Sequence, residues 1–158
     1  MSTKQEQPLV TIVTVHYDQQ ETTYEMLDSL RKVTYPIFET FIIDNAFPSS
    51  SPFVIKEKYP EVELMISDKN LGFAGGNNIA LKQVKGDYVL LLNNDTEVKP
   101  YFLDSLVALM ELDKNIGIVS SKISHFYEDN TIQYAEASPI NSITSRGKHY
   151  EYKELEQN

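Results

Sequence analysis

Polar side chains that could bind a ligand follow four apolar stretches of this 158-residue sequence. The four polar segments are His16-Tyr17-Asp18, Asp44-Asn45-Ala46, Asp68-Lys69-Asn70 and Asn93-Asn94-Asp95-Thr96. Carboxylate and carboxamide oxygens suit a hard divalent cation, and Asp95 beside two asparagines has this pattern. Taken alone, each segment has a simpler interpretation as a turn whose side chains cap the backbone.

A glycine-rich segment, residues 70–78 with the sequence NLGFAGGNN, opens a predicted helix. Exposed amides and the helix dipole at such a position can bind an anion such as a phosphate. Tight packing of the helix on a sheet is the alternative explanation for these glycines. The segment matches neither the dinucleotide fingerprint nor the P-loop, because it lacks the spacings Gly-x-Gly-x-x-Gly and Gly-Lys-Ser/Thr.

Other catalytic and binding chemistries have little support in this sequence. The three histidines, His16, His125 and His149, are scattered and lack the His-Glu-x-x-His spacing of zinc hydrolases, so each is expected to be structural or exposed. Because there is no cysteine, thiolate zinc sites, disulfides and cysteine nucleophiles are excluded together. With 14 basic and 23 acidic side chains, a net charge of −9 argues against nucleic-acid binding.

The elements that must position these segments alternate between strand and helix. Apolar and β-branched runs predict the strands, while apolar positions spaced by about three residues, caps and prolines predict the helices. The expected order is strand Val10–Tyr17, helix Glu21–Val33, strand Phe38–Asp44, helix 51–59 capped by Ser51, strand Val62–Ser67, helix Phe73–Val84, strand Tyr88–Leu92, helix Pro100–Asp113 and strand Ile116–Ile123, with a short strand at Ile132–Ala135.

Uniformly apolar strands without a solvent face predict an α/β fold, in which a mostly parallel sheet is covered by helices on both faces. In such a sheet, ligands bind beyond the carboxyl ends of the strands, so the four polar segments should meet at one edge.

The sequence divides into three predicted parts. Residues 1–8 form a polar N-terminal tail, residues 9–123 the α/β domain, and residues 124–158 an extension in which the pattern weakens. The first residues lack the features of a signal peptide, and no apolar run approaches the roughly 18 residues of a transmembrane helix. A soluble, cytoplasmic protein is therefore expected.

In this order, the motifs resemble the nucleotide-sugar-binding half of the family 2 inverting glycosyltransferases of the GT-A fold, particularly its rhamnosyltransferase-like members. The resemblance covers about residues 10–123 and is carried by VTVHYD (13–18), FIIDNA (41–46), NLGFAGGNN (70–78) and GDYVLLLNNDT (86–96). It implies a Rossmann-like domain that binds the donor sugar at residues 9–123. Residues 124–158 would then begin an acceptor-binding region that is incomplete in this chain, which would be truncated after its donor-binding half.

The resemblance also assigns roles to single positions. Val15 and Tyr17 match positions that line the nucleotide base, and Asp44 matches the carboxylate that accepts a hydrogen bond from the imide of uracil or thymine. Asn94 would face the ribose, and Asp95 would ligate Mg²⁺ or Mn²⁺ at the diphosphate. The full set of nucleotide-sugar-binding positions is Val15, Tyr17, Asp44, Asn70, Gly72, Gly75, Asn77, Asn78, Asn93 and Asn94, with Asp95 as the metal ligand.

A divalent cation also fits the charge of this sequence. No arginine occupies a matched position, so an acidic protein would have to hold a diphosphate without direct ion pairing to arginine. A cation neutralises both the carboxylate and the phosphate oxygens, and it stabilises the charge that grows on the leaving nucleoside diphosphate.

Two features depart from the family pattern. The metal-binding motif has one carboxylate, Asp95, instead of two or three. The family's catalytic base is an aspartate beyond the fourth helix, and neither Asp129 nor Glu136 lies in a matching context. We therefore expect the base beyond Asn158, and no catalytic residue is assigned within this sequence.

The leading hypothesis is the donor-binding part of a glycosyltransferase that uses a UDP- or dTDP-sugar and a carbohydrate or lipid-linked sugar acceptor in polysaccharide biosynthesis. Peripheral membrane association is expected only for the full enzyme. The alternative is a non-catalytic nucleotide-binding or interaction module derived from the same fold. A nucleotidyltransferase has weaker support, since the glycine-rich basic loop expected after its first strand is not found at residues 18–20.

Overall fold

The computed structural model describes residues 7–46, 52–126, 132–134, 136–137 and 149–150. The elements are, in chain order, β1 (Val10–His16), α1 (Gln20–Leu30), β2 (Phe38–Asp44), α2 (Phe53–Lys58), β3 (Glu63–Ile66), α3 (Gly72–Leu81), β4 (Tyr88–Leu91), α4 (Phe102–Leu112), β5 (Ile123–Ser124), β6 (Ile132–Tyr134), β7 (Glu136–Ala137) and β8 (His149–Tyr150). The chain forms two compact units, Met1–Val107 and Ala108–Asn158. This division falls within α4, and the domain limits expected from the sequence stay predictions.

The first unit is built on a four-stranded parallel sheet with the strand order β3-β2-β1-β4. In its register, His16 of β1 lies level with Asp44 of β2, and Asp44 lies level with Ile66 of β3. β4 ends three residues lower, since its last residue, Leu91, pairs with Val13. The parallel sheet is thus confirmed, and we call the side on which its strands end the carboxyl edge.

β1 lies in the interior of the sheet, between β2 and β4. Each of its residues before His16 is β-branched, which suits a pleated strand that packs on both faces. All of β1 is buried except Val15, which is half-buried. For this strand, the prediction of no solvent face is confirmed.

One face of the sheet is covered by α1, α2 and α4. Its core contains Met26, Leu27 and Leu30 of α1, Ile55 of α2, and Leu103 and Val107 of α4, packed with Val10, Ile12 and Ile42 of the sheet. Tyr59, which follows α2, is fully buried, and its hydroxyl donates a hydrogen bond to Asp28 Oδ1 at 3.0 Å. The guanidinium of Arg31 lies 4.4 Å from the centre of the Tyr59 ring. These contacts fix the end of α2 against α1.

The opposite face is covered by α3, so the sheet has helices on both faces, as predicted. The core on this side contains Val13, Phe41, Ile43 and Ala80. The approach is close at Gly76, where an added Cβ would lie 2.9 Å from a methyl group of Val15. At Gly75, an added Cβ would lie 2.7 Å from Leu71 Cβ. At Gly76 the explanation by packing of the helix on the sheet is confirmed, whereas at Gly75 the close contact is with Leu71, the residue before α3.

The strand predicted at Ile116–Ile123 is wrong for most of its length. Only Ile123 and Ser124 form a strand, β5, which pairs antiparallel with β6 instead of joining the parallel sheet. A β-branched run favours extended backbone, but a strand also needs a neighbour to complete its hydrogen bonds. In the described part of the chain, no strand pairs with residues 116–122, and Ile118 is 90% exposed.

The edge strands β3 and β4 also differ from the prediction, because Glu63 and Ile66 are exposed in β3 and one face of β4 is open to solvent. In β4, Val89 and Leu91 alternate with the half-buried residues Tyr88 and Leu90, and Leu91 is 48% exposed. The helix on that face, α3, packs on β1 and β2. The apolar composition of these short strands therefore led to a prediction of more complete burial than the structure has.

The other predicted elements of the first unit are confirmed, and their ends shift by three residues or fewer. The predicted cap of the second helix, Ser51, lies outside the described residues, and Pro52 occupies the N-cap position of α2. Within the described ranges, no helix is both long enough and apolar enough to cross a bilayer.

The described part of the second unit contains two short antiparallel pairs, β5 with β6 and β7 with β8. β6 confirms the short strand predicted at Ile132–Ala135. Of the two carboxylates considered as a base, Glu136 lies in β7, and Asp129 lies outside the described residues.

Replacing Gly76 by alanine tests the close packing of α3 on β1. We expect Gly76→Ala to lower the free energy of unfolding by about 1–3 kcal/mol, because the new methyl group must displace Val15 or the helix. Denaturant unfolding measures this change. The control is Gly117→Ala, since an added Cβ there meets no atom within 4 Å. Equal effects of the two substitutions would contradict the packing described here.

Candidate functional site

The loops at the carboxyl edge continue the backbone hydrogen bonding of the sheet beyond its strands. The bonds run from Asn45 N to His16 O at 2.9 Å, from Ser67 N to Asp44 O at 2.9 Å and from Leu92 N to Val13 O at 3.0 Å. Each loop therefore begins at a position fixed by the neighbouring strand. The polar segments that follow β1, β2 and β3 lie along this one edge, as the sequence predicted, whereas the fourth follows β4, which ends three residues lower.

Three residues at the carboxyl edge have left-handed backbone conformations although none is glycine. Asp18 and Gln19 follow β1 with φ angles of 60° and 59°, and Ala46 follows β2 with φ of 62°. Asp18 Oδ1 accepts a hydrogen bond from Gln19 N at 2.9 Å, which supports this turn locally. Among the described residues these are the non-glycine positions with positive φ. Strained backbone of this kind collects at ligand-binding sites, so it marks this edge as the candidate site.

Two of the residues predicted to meet the nucleotide base lie at this edge. Asp44 is buried at the end of β2, and Tyr17 follows β1 with an exposed ring. The third residue, Val15, is half-buried, and its methyl groups lie against the Cα of Gly76 on α3. The structure therefore brings Tyr17 and Asp44 to the edge, whereas Val15 lies in the packing of α3 on the sheet.

His16 lies inside the fold, so the structural interpretation of this histidine is confirmed. Its ring is almost completely buried, and Nδ1 lies 2.9 Å from Thr23 Oγ1 of α1. Burial lowers the pKa of His16 and outweighs the nearby carboxylates of Asp44 and Asp18, which raise it. The imidazole is therefore neutral at pH 7.

Thr23 connects His16 to the turn that carries the predicted metal ligand. Asn94 Nδ2 donates a hydrogen bond to Thr23 Oγ1 at 3.0 Å, so one buried hydroxyl contacts side chains from β1 and from the loop after β4. The bond directs the carboxamide nitrogen of Asn94 toward α1, and a contact of Asn94 with ribose stays a prediction. No local sequence pattern indicates this role of Thr23.

Asp95 presents the exposed carboxylate of this turn, next to the exposed Asn93. No described residue forms a hydrogen bond or ion pair with the Asp95 side chain, and the described residues hold no group of three His, Cys, Asp or Glu that could bind a metal by itself. A single carboxylate nevertheless fits Mg²⁺, which keeps several waters and is often held by one carboxylate together with substrate phosphates. The donor set therefore suits a cation that binds together with a phosphate-bearing ligand.

The glycine-rich segment forms the start of α3. Gly72 has a left-handed φ of 69° and no atom within 4 Å of an added Cβ, so its backbone conformation, and not its packing, favours glycine. Asn70 and Asn78 are exposed, whereas Asn77 is buried and donates a hydrogen bond from Nδ2 to Phe73 O at 2.9 Å. Asn70 and Asn78 can thus meet a ligand directly, while a binding role of Asn77 stays a prediction.

Asn45 belongs to the candidate site, but the sequence predictions did not include it among the binding residues. It is buried, and its side chain contacts the turn before α3. The local sequence Asp-Asn-Ala indicates only a turn, because the residues that it contacts lie more than 20 positions away.

A cavity of about 680 Å³ lies at the opposite end of the sheet, near the first residues of β2 and β3. The charged residues that line it are Glu39, Glu63, Lys82 and Lys85. None of the predicted binding residues contributes to this cavity, so it is separate from the candidate site.

Replacing Thr23 by valine tests its connection to His16 and Asn94. Thr23→Val keeps the shape of the side chain but removes the hydroxyl from His16, Asn94 and the backbone oxygen of Gln19, and we expect a loss of about 1–3 kcal/mol in the free energy of unfolding. The matched control is Thr22→Val, because the Thr22 hydroxyl donates locally, to the backbone oxygen of Gln19 at the N-cap of α1. Denaturant unfolding at pH 7 compares the two variants. A loss no larger than that of the control would show that the connection contributes nothing to stability.

Comparison with known proteins identifies the family of this chain. The model of the family described as "Glycosyl transferase family 2" matches residues 11–157. Among curated proteins, the O-antigen biosynthesis protein RfbC of Myxococcus xanthus is 31% identical over 132 residues, which cover 81% of this chain and 10% of RfbC.

Two solved structures share the fold. S. aureus TarS 1-349 in complex with UDP aligns with a TM-score of 0.60 and 22% identity, covering 87% of this chain and 43% of that chain. The mannosyltransferase PcManGT from Pyrobaculum calidifontis, in complex with GDP-Man and Mn²⁺, aligns with a TM-score of 0.60 and 21% identity, covering 75% of this chain and 34% of that chain.

This chain spans less than half the length of each of these three proteins. The fold is the predicted one, an α/β fold of the GT-A type with a mostly parallel sheet. With the family model matching nearly the whole sequence, the chain belongs to glycosyl transferase family 2.

Proposed function

We propose that this chain is the nucleotide-sugar-binding part of a glycosyltransferase and that it binds a UDP- or dTDP-sugar together with Mg²⁺ or Mn²⁺. The observation that carries the proposal is the carboxyl edge of the sheet, where Asp44 and the start of α3 lie beside strained loops. Ligands of open parallel sheets bind at this edge.

The nucleoside would lie near Tyr17 and Asp44. The exposed ring of Tyr17 is suited to stacking on the base, and the buried carboxylate of Asp44 can accept a hydrogen bond from the imide of uracil or thymine. TarS, which shares the fold, has been solved with UDP and with UDP-GlcNAc, which supports a uridine nucleotide. PcManGT has been solved with GDP-Man, so the shared fold alone does not select the base, and the choice of uracil or thymine rests mainly on the match at Asp44.

The diphosphate would lie between the start of α3 and the turn that carries Asp95. The backbone amides and the dipole at the N-terminus of α3 favour an anion, and Asn70, Asn78 and Asn93 present exposed carboxamides. Asp95 would hold the cation, and the bond from Asn94 to Thr23 fixes the turn to α1. When bound, a divalent cation neutralises the diphosphate and stabilises the leaving nucleoside diphosphate. The Mn²⁺ complex of PcManGT supports such a cation.

In the complete enzyme, a base would remove the proton of an acceptor hydroxyl as its oxygen attacks the anomeric carbon. The bond from that carbon to the diphosphate oxygen breaks in the same displacement, which inverts the anomeric configuration. The sugar would be a hexose or deoxyhexose, with rhamnose favoured by the resemblance of the motifs. A carbohydrate or lipid-linked sugar acceptor fits a role in polysaccharide assembly in the cytoplasm, with peripheral membrane association of the full enzyme, and the name of RfbC supports this process.

Calorimetric titration of UDP and dTDP, with and without Mn²⁺, tests the binding proposal. We expect binding that depends on Mn²⁺, and we expect Asp95→Asn to weaken it at least tenfold without changing the melting temperature, because the exposed carboxylate is replaced by a weaker metal ligand. The control is Asp87→Asn, which makes the same charge change before β4, at the other end of the strand. If the wild-type protein binds neither UDP nor dTDP, the proposal is refuted.

The chain by itself should transfer sugar weakly or not at all, because no base of the family pattern is found in it. Release of nucleoside diphosphate from UDP- and dTDP-sugars, in the presence of simple glycoside acceptors, measures this activity. We expect a rate close to that of the Asp95→Asn variant. Rapid transfer that depends on Asp95 would show that the chain carries its own base.

A further inference from the structure

Asn45 is buried directly after β2, and its side chain is bonded at both ends. It is 2% exposed. Its Nδ2 donates a hydrogen bond to Asn70 Oδ1 at 2.9 Å and lies 3.4 Å from Gly72 O, which also accepts from it. Its Oδ1 accepts a hydrogen bond from Leu71 N at 2.9 Å. All these partners belong to the turn that leads into α3, so one side chain directly after β2 holds three consecutive residues of another segment.

The turn has few other means of support in the described structure. Leu71 occupies the N-cap position of α3, and its side chain forms no capping hydrogen bond. Gly72 adopts a left-handed φ of 69°, and a glycine can reach many other backbone conformations, so its own backbone does not fix the turn. Asn70 Oδ1 accepts a second hydrogen bond, from Gly72 N at 2.8 Å, so the bond from Asn45 also fixes the group that closes the turn. The four hydrogen bonds among residues 45 and 70–72 are called the asparagine clamp below.

The asparagine clamp sits between two parts of the proposed donor site. Asp44, the neighbour of Asn45 in sequence, lies on the face of the sheet that carries α1 and acts electrostatically on His16. Asn45 is directed to the opposite side, toward α3. Adjacent residues at the end of a strand point to opposite faces, so one strand end fixes both the residue proposed for the base and the turn proposed for the diphosphate.

We infer that Asn45 is a positioning residue for the donor nucleotide, an inference that rests on the function proposed above. It acts through the asparagine clamp, which sets the start of α3 relative to Asp44, and it does not itself touch the nucleotide. Backbone amides bind a diphosphate well only when their positions are fixed before binding, because otherwise binding must order them. Loss of the asparagine clamp should therefore weaken nucleotide binding in a protein that remains folded.

The main variant is Asn45→Asp, which keeps the size of the side chain and the acceptor for Leu71 N. It replaces the Nδ2 donor by an oxygen that faces Asn70 Oδ1 and Gly72 O. We expect the affinity for UDP or dTDP with Mn²⁺ to fall about tenfold. Calorimetry is done at a temperature at which the unfolding curves show both proteins folded. Amide hydrogen exchange at Leu71 and Gly72 should become faster without nucleotide.

The second variant disrupts the asparagine clamp at Asn70, its exposed partner residue. Asn70→Ala deletes the oxygen that accepts from both Asn45 and Gly72 without opening a cavity in the core. If Asn45 acts through this contact, Asn45→Asp should lose most of its effect on affinity in the Asn70→Ala background. Additive losses would instead show that Asn45 acts by another route, and the inference would be wrong.

The control is Thr34→Val, which removes a side-chain hydroxyl that donates to Pro100 O and Asp104 Oδ2. Thr34 lies before β2, at the opposite end of that strand, so this variant should lower stability without changing nucleotide affinity. The same result for Asn45→Asp would mean that Asn45 is only structural, which overturns the inference.

The outcomes also separate this inference from the proposed function. If the wild-type protein binds nucleotide and Asn45→Asp binds it equally well, the positioning role is wrong and the proposed function stands. If the wild-type protein binds neither nucleotide, both fail. Weaker binding together with faster exchange at Leu71 and Gly72, in a protein that remains folded, is the result that supports Asn45 as a positioning residue.

Discussion

The pairing of β1 with two parallel neighbours is the interaction on which the first unit depends. β1 pairs along its whole length with β2 and along its first half with β4, and its two faces contribute to the two separate cores. The register with β2 places His16 level with Asp44. A shift of one residue would turn every side chain of β2 to the opposite face and exchange the surroundings of Asp44 and Asn45. The arrangement of side chains at the candidate site therefore depends on this register.

Beyond the backbone hydrogen bonds that continue the sheet, two loops of the site are held by side chains from neighbouring elements. On the face that carries α1, the buried hydroxyl of Thr23 contacts both His16 and Asn94 and so fixes the turn after β4. On the face that carries α3, Asn45 fixes the turn before that helix. The two arrangements are similar, because in each a buried polar side chain forms hydrogen bonds with residues that are distant in sequence. Both leave exposed side chains, such as that of Asp95, available for a ligand.

Much of this fold could be predicted because β1 is a run of β-branched residues before His16 and β2 is mostly apolar, which favours extended backbone. The limits of β2 agree with the sequence prediction at both ends. The prediction of a strand at residues 116–122 failed because β-branched and apolar residues form a strand only beside a partner strand. Among the candidate residues, Tyr17, Asp44 and Asp95 could be proposed from the sequence because they lie at or shortly after the ends of strands. The contacts of Asn45 and Thr23 could not, because they join residues 25 and 71 positions apart and leave no periodic pattern.

The left-handed conformations at the carboxyl edge have a consequence for how binding relates to folding. Asp18, Gln19 and Ala46 each hold a backbone shape that costs a residue with a side chain about 1–2 kcal/mol. A short peptide with the same sequence would keep only the local bond from Gln19 N to Asp18 Oδ1, whereas in the protein these residues directly follow paired strands of the sheet. The shape of this edge is thus a property of the whole unit and of none of its segments. A chain whose sheet unfolds also loses the shape of its site. Ligand binding should therefore be lost in the same transition as the folded structure.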